Sequence, residues 1–274
     1  MNAYVELLRP NNGILAVLGI ILGYIVAASF TAGSVQIIFA IIVAFLINGA
    51  GNVINDYFDH KIDEINRPRR PIPSGRASRG NVLVYFIVLI AVGIVLSYLV
   101  SVYFFYLAII NSIVSFVYSW KLKGTPLIGN ITVSWLAAST FLGGALILYS
   151  FYSIPYPVVI LASIAFLATL SREIFKDAED VEGDKKFGAK TLPIAIGTHK
   201  AVVLASIILL AGVASLFIPA YTGIFGIYYY IGVVPAAVIC LLAIRSMKKP
   251  KKAQKLVKMA MYFVFLGFIL GTLL

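Results

Sequence analysis

The chain has 274 residues, of which 61% are hydrophobic and 12% charged, and it carries a formal net charge of +11 at pH 7. Soluble domains are about 45–50% apolar and about 25% charged. This composition therefore excludes a disordered chain and argues for a polytopic membrane protein over a soluble globule, as does a mean hydropathy of +0.98. The single cysteine, Cys240, excludes an intramolecular disulfide and a cysteine-rich zinc site, and two histidines, His60 and His199, are too few for a histidine metal centre. No cleavable leader is expected. The first apolar run follows Arg9-Pro10, lacks a convincing small-residue cleavage site and reads as a first span.

A bilayer core of about 30 Å asks for about 20 apolar residues per helix. Nine candidate spans follow in chain order, at about 13–30, 35–54, 82–100, 102–119, 127–148, 156–171, 201–219, 223–244 and 257–274. The third and fourth are nearly continuous, and one helix through both would be ~57 Å long, so a hairpin near Ser101 is expected. All 22 Lys and Arg lie at the N-terminus or after spans two, four, six and eight, while the turns near 31–34, 101, 149–155 and 220–222 carry none. The positive-inside rule is met throughout if the N-terminus is inside and the C-terminus outside. On the uncharged side Tyr103, Phe104, Tyr149, Phe151, Tyr152, Tyr156 and Tyr221 are expected to form an aromatic belt. The basic balance is thus topological: no nucleic-acid partner is needed, and no protein partner is expected. The run from Lys248 to Lys258 reads as a juxtamembrane basic segment near anionic lipid.

The acidic residues carry more information. Of eleven, only Glu6 lies outside two segments, Asp56 to Glu64 and Glu173 to Asp184. Asp56, Asp59 and Asp63 share one spacing with Asp177, Asp180 and Asp184: i, i+3, i+7, which forms one stripe on a helix. Each stripe sits where an even-numbered span reaches the charged side, and the two lie four spans apart, as an internal duplication of four-helix units would place them. A solvated helix end pairing with nearby Lys and Arg is the plainer reading of either stripe alone. Two stripes facing one another would repel unless cations neutralised them. Oxygen ligands select Mg²⁺ or Ca²⁺, and Mg²⁺ completes its shell with water and phosphate. The pattern suggests a Mg²⁺-bridged diphosphate with a greasy tail held in the apolar bundle. A cation transporter would also need membrane acids, but its site is expected near the midplane on broken helices.

With these residues in view, the chain resembles the UbiA superfamily of intramembrane prenyltransferases over nearly its whole length. The resemblance rests on Asn55-Asp56-x-x-Asp59-x-x-x-Asp63 and Asp177-x-x-Asp180-x-x-x-Asp184, with Arg9-Pro10-x-Asn12 before the first span and Tyr118-x-x-Lys121 after the fourth. The stretch Ile65 to Gly75 is similar to the branch that holds both the archaeal ether-lipid enzymes and chlorophyll synthase, and Glu182 to Pro193 resembles the archaeal ether-lipid enzymes more. The resemblance implies a single domain over 1–274, all-α, with nine transmembrane helices around a central cavity and a cytoplasmic cap. It implies a cell-membrane location with the active site facing the cytoplasm. The implied donor is geranylgeranyl diphosphate and the implied acceptor geranylgeranylglyceryl phosphate, a lipid phosphate. A sister enzyme acting on an aromatic or tetrapyrrole acceptor is the alternative.

In that frame Asp56, Asp59, Asp177 and Asp180 would be catalytic and hold Mg²⁺, with Asp63 and Asp184 supporting. Asn52 and Asn55 would orient a carboxylate or touch metal; interhelical hydrogen bonding is their other reading. Asn12 and Tyr118 belong to the substrate-binding set through the family motifs. Arg67, Arg70, Lys121, Lys123, Arg172, Lys176 and Lys185 are candidates for phosphate contact, with Lys121 and Arg172 favoured because they sit closest to span ends, although topology alone accounts for any one of them. His60 points off the stripe. Thr198 is expected to cap the helix that His199 begins, Cys240 to pack in the core, and Gly143-Gly144 to allow close helix packing.

Overall fold

The computed structural model describes residues 2–29 and 33–272. Phe30, Thr31 and Ala32, at the end of the first expected span and in the turn after it, lie outside the described residues, as do Leu273 and Leu274 at the end of the last. The described residues are helical and contain no strand. Seven of their helices are long and apolar enough to cross a membrane: Pro10–Ala27, Gln36–Asn66, Arg79–Tyr98, Val102–Leu122, Tyr156–Lys186, Thr198–Tyr221 and Pro250–Thr272. Two expected spans are not among the seven. The helix Ile128–Ala145 is diluted by Asn130, Thr132, Ser134, Ser139 and Thr140, and Tyr229–Arg245 is apolar but only 17 residues long.

The chain divides into two compact units, residues 1–123 with 139–154, and residues 124–138 with 155–274. The first holds α1 (Ala3–Leu8), α2 (Pro10–Ala27), α3 (Gln36–Asn66), α4 (Arg79–Tyr98), α5 (Val102–Val117) and the end of α6 (Ile128–Ala145). Here α3 is central, packing against α1, α2, α4 and α5. Leu7, Ala50, Val53, Ala77, Val82 and Leu89 form a buried cluster that seats α1 on α3 and α4. The expected hairpin is found: α4 and α5 are separated by Leu99, Val100 and Ser101, with Ser101 as N-cap accepting from the Phe104 N–H at 3.0 Å. On α4, Val84, Ile87, Val88, Val92 and Val95 are exposed, a face that water tolerates poorly and hydrocarbon solvates.

Small residues let α2 and α6 approach to backbone contact. A Cβ on Gly23 would lie 2.0 Å from the Phe141 carbonyl oxygen, and one on Gly144 would lie 2.3 Å from that of Ile20. This bears out the packing role of the glycine pair. Phe104, expected in the aromatic belt, is instead buried in this unit beside Gly143, while Tyr152 and Tyr221 are almost fully exposed as a belt requires.

The second unit holds the start of α6, then α7 (Tyr156–Lys186), α8 (Leu192–Ile196), α9 (Thr198–Ser215), α10 (Ile218–Tyr221), α11 (Tyr229–Arg245) and α12 (Pro250–Thr272). Here α7 packs against α9 and α12, and α11 against α12. Tyr229 is fully buried, stacks on Phe268 and donates to the Leu216 carbonyl at 2.8 Å. Cys240 is buried as expected. Gly197, not Thr198, takes the N-cap position of α9, and its φ of 91° is one that Thr disfavours. Of the Lys248 to Lys258 run, Lys248 and Lys249 precede the last helix and the rest lie in its first turns: α12 begins at Pro250, ahead of the span expected from 257, because Ala253 and Val257 give that basic stretch a buried face.

Helices α3 and α7 each run 31 residues, ~46 Å at 1.5 Å per residue, against ~30 Å of hydrocarbon. Both continue past their apolar stretch through the acidic segments, so Asp56 and Asp177 stand about twenty residues from the helix starts, one bilayer thickness. Replacing Gly144 by Val should drive α2 and α6 apart and lower the melting temperature in detergent, by about 1–3 kcal/mol of stability. Gly80→Ala, where nothing lies within 4 Å of the added carbon, should leave melting unchanged or slightly raised.

Candidate active site

Helical periodicity places Asp56, Asp59 and Asp63 on one face of α3, and they are only 5%, 8% and 5% exposed. Buried carboxylates are costly unless paired and hydrogen-bonded, and each of these is. Arg9 donates to Asp56. Arg70 bridges two of them, with Nη1 3.0 Å from Asp56 Oδ1 and 2.5 Å from Asp63 Oδ2. Lys123 donates to Asp59, as does Asn55, from Nδ2 to Oδ2 at 2.9 Å.

Each cation arrives by a distinct local device. Arg9 joins α1 to α2 in the left-handed region, at φ 50° and ψ 68°. That conformation costs roughly 1–2 kcal/mol for a residue with a Cβ. It is held by the ion pair and by Asn52, whose Nδ2 donates to the Leu8 carbonyl at 3.0 Å. Burial pushes the Arg9 guanidinium below the usual arginine range, and the charge of Asp56 opposes this. Arg70 sits in the loop after α3, where the Ser74 hydroxyl donates to the Arg70 carbonyl at 2.7 Å. Lys123 follows a π-helical turn, Tyr118–Leu122, which brings the Lys123 N–H to the Tyr118 carbonyl at 3.0 Å. Such wide turns often mark functional positions. Lys121, the favoured lysine from sequence, lies over the Trp120 ring at 4.0 Å instead. Asn12 and Arg67 are exposed. His60 contacts the Tyr57 carbonyl through Nδ1 at 3.2 Å, a bond within its own helix turn.

The stripe on α7 is furnished differently. Asp177 Oδ2 accepts from Asn130 Nδ2 of α6 at 2.7 Å. Glu173, buried one turn earlier, takes Arg172 at 2.5 Å and Lys176 at 3.4 Å. Two of the three cations on α7 expected to touch phosphate, Arg172 and Lys176, are therefore on this glutamate. Asp180 and Lys185 are exposed and Asp184 is half-buried. Glu179 accepts from Gln254 of α12 at 3.0 Å.

Among the described residues, no three His, Cys, Asp or Glu side chains form a group that could hold a metal. The donors that are present are all hard oxygens. They suit Mg²⁺, which is commonly bound by one or two carboxylates, with substrate phosphate and water completing the octahedron. The residue set fits that ion as a shared ligand of protein and diphosphate rather than as a caged one.

Sequence reasoning passed over Arg9 as an ion partner, because its reach depends on the left-handed backbone, and it passed over Asn130. The signal for Asn130 was an amide within a membrane-length helix. It also gave no role to Glu6, which accepts from Arg76 at 2.7 and 3.1 Å. Arg76 Nη2 donates in turn to the Arg69 carbonyl, next to Arg70.

Together the helices and their acid-bearing ends define a class, an all-helical multi-span membrane protein with two aspartate stripes. The chain belongs to the UbiA prenyltransferase family, whose model matches residues 16–269. It is similar to digeranylgeranylglyceryl phosphate synthase of Methanopyrus kandleri, with 41% identity and the whole of both chains covered. It is also similar to a solved structure from work on digeranylgeranylglyceryl phosphate synthase in membranes, with a TM-score of 0.83, 35% identity, and coverage of 98% of this chain and 97% of the other. It shares its fold with a UbiA homologue from Archaeoglobus fulgidus bound to DMAPP and Mg²⁺, with a TM-score of 0.65, 20% identity, and coverage of 99% and 100%.

The Arg76 hydrogen bond holds the Glu6 carboxyl below the usual carboxylate range. A depressed folded pKa stabilises above the unfolded value, and this is lost as pH falls through the folded one. Glu6→Gln should melt slightly below the unaltered protein at pH 7, and the difference should vanish as pH falls below about 4.

Proposed function

We propose that this UbiA-family enzyme transfers a geranylgeranyl group from geranylgeranyl diphosphate to the secondary hydroxyl of geranylgeranylglyceryl phosphate, forming the second ether bond of archaeal membrane lipid. The observation that carries the reading is the buried stripe of Asp56, Asp59 and Asp63 met by Arg9, Arg70 and Lys123. The full-length similarity to the Methanopyrus kandleri synthase supports the acceptor. The same guanidinium and ammonium groups suit phosphate oxygens, Arg by its fork and Lys as a point charge.

Asp56, Asp59, Asp177 and Asp180, with Asp63 and Asp184 supporting, would hold Mg²⁺, the ion bound in the Archaeoglobus homologue. When bound, Mg²⁺ would offset the charge that develops on the diphosphate as the allylic C–O bond breaks. Arg9, Arg70 and Lys123 grip diphosphate oxygens. Asn55 keeps Asp59 oriented, and Asn52 holds the end of α1 beneath Arg9. Arg67, Lys121, Arg172, Lys176 and Lys185, with Asn12 and Tyr118, serve the headgroups of donor and acceptor. The acceptor oxygen bonds to the prenyl carbon as the diphosphate leaves, and the hydroxyl proton is released. Apolar helices exclude water, which would otherwise capture the carbon as a prenyl alcohol.

In this reading the chain is one domain built from duplicated four-helix units. It crosses the cell membrane nine times, N-terminus and acidic helix ends at the cytoplasm beneath a cap of charged loops, C-terminus outside. The confinement of all 22 basic residues to alternate connections supports this orientation. Both prenyl chains stay in the bilayer, at about 0.8 kcal/mol per buried methylene.

Purified protein in detergent, given geranylgeranyl diphosphate and Mg²⁺ with geranylgeranylglyceryl phosphate and 4-hydroxybenzoate as parallel acceptors, should yield a diether by mass spectrometry, and none after chelation. A prenylated aromatic would move the acceptor to a sister branch, and an intact donor under all conditions would sink the reading. Asp56→Asn or Asp177→Asn should cut turnover at least ~100-fold with melting retained, as expected for several kcal/mol of lost transition-state stabilisation. Lys123→Ala should lower kcat/KM about 10–100-fold, and Lys121→Ala, whose ammonium lies over exposed Trp120 and is not paired with the stripe, should lower it less, about 2–10-fold.

A further inference from the structure

The two stripes differ in where their amide comes from. On α3 it is local: Asn55 donates to Asp59 four residues on. When the motifs are aligned on their aspartates, Lys176 stands where Asn55 does and Glu173 where Asn52 does. Those two pair with each other, and Glu173 also takes Arg172. The second motif has no amide of its own, and a different helix supplies one: Asn130, in the first turn of α6, donates to Asp177 at 2.7 Å.

Asn130 is 5% exposed, and its Oδ1 is a buried oxygen without a hydrogen-bond partner. Leaving such an atom unpaired costs roughly 1–3 kcal/mol, and native proteins keep few of them. An asparagine serving only to tie α6 to α7 would have no use for an orphaned acceptor. The chain fixes it there nonetheless. Leu127 enters α6 at a left-handed φ of 61°, an outlier for a bulky residue. The Lys190 N–H donates to the Gly124 carbonyl at 2.8 Å, tying the segment after α7 to the one before α6.

We propose that Asn130 is a metal-site residue of the second stripe: its Nδ2 orients Asp177, and its Oδ1 joins the remaining Asp177 oxygen as a pair of hard donors for a divalent cation. Asparagine carbonyls are ordinary ligands of such ions, and a hydrogen-bonded partner keeps a ligating carboxylate in place. The inference rests on the metal–diphosphate reading above and assigns it a residue outside both aspartate motifs.

The test is Mn²⁺ binding followed by electron paramagnetic resonance, with inorganic diphosphate present, on the full-length protein in detergent. Asn130→Ala should weaken Mn²⁺ binding about 10–100-fold while melting as a folded protein. Asn130→Asp keeps the oxygen but sets two carboxylates side by side, which repel until a cation neutralises them. It should bind Mn²⁺ within about threefold of the unaltered protein, and Mn²⁺ should raise its melting temperature by more than it raises the parent's. Asn130→Ala binding Mn²⁺ like a parent that itself binds would overturn this inference alone. If the alanine variant does not fold, Asn130→Asp decides: melting insensitive to Mn²⁺, with binding lost, contradicts the ligand role. A parent that shows no diphosphate-dependent Mn²⁺ binding removes the metal reading and this inference with it.

Discussion

Three carboxylates on one buried face of α3 must each meet a cation or a donor, and much of the first unit is shaped by that requirement. Arg9 adopts a strained backbone to reach Asp56, Arg70 returns from the following loop to bridge Asp56 and Asp63, and a π turn delivers Lys123 to Asp59. Buried ion pairs of this kind contribute little net stability, because desolvation offsets their attraction, yet losing one partner costs several kcal/mol. Under the proposed function their value is exchange: a cation arriving with a diphosphate would offer the carboxylates a new partner, the diphosphate would offer one to Arg9, Arg70 and Lys123, and both halves of each pair would stay satisfied.

The second stripe has different neighbours. Arg172 and Lys176 are held by Glu173, so the nearest partner of Asp177 is the neutral amide of Asn130. The first stripe is met by three cations, whereas Asp177 of the second is met by an amide. The two motifs share a spacing in sequence and differ in electrostatics because their neighbours differ.

Both stripes, the helical class and the turn at Ser101 are legible in sequence because each depends on periodicity or on a local cap. The residues missed depend on backbone geometry that composition does not carry. Arg9 reaches Asp56 through a positive φ, and Lys123, a phosphate candidate in sequence, is brought to Asp59 by a π turn that sequence does not announce. Asn130 is one of five polar residues in α6, and only its place beside α7 sets it apart. The ends of α3, α7 and α12 were drawn too tightly around apolar stretches. Charged residues lengthen these helices, because one face of each charged stretch stays buried.

If the proposed function holds, the carboxylates and cations of the first stripe change partners together. Equilibrium binding of the prenyl diphosphate to the purified protein, measured with and without Mg²⁺ and repeated with Asp56→Ala, tests it directly. The exchange predicts that Mg²⁺ strengthens binding at least about tenfold in the unaltered protein, a coupling of about 1.4 kcal/mol, and that Asp56→Ala abolishes the effect of the metal. Binding equally tight without Mg²⁺, or a metal effect undiminished in the variant, would contradict it.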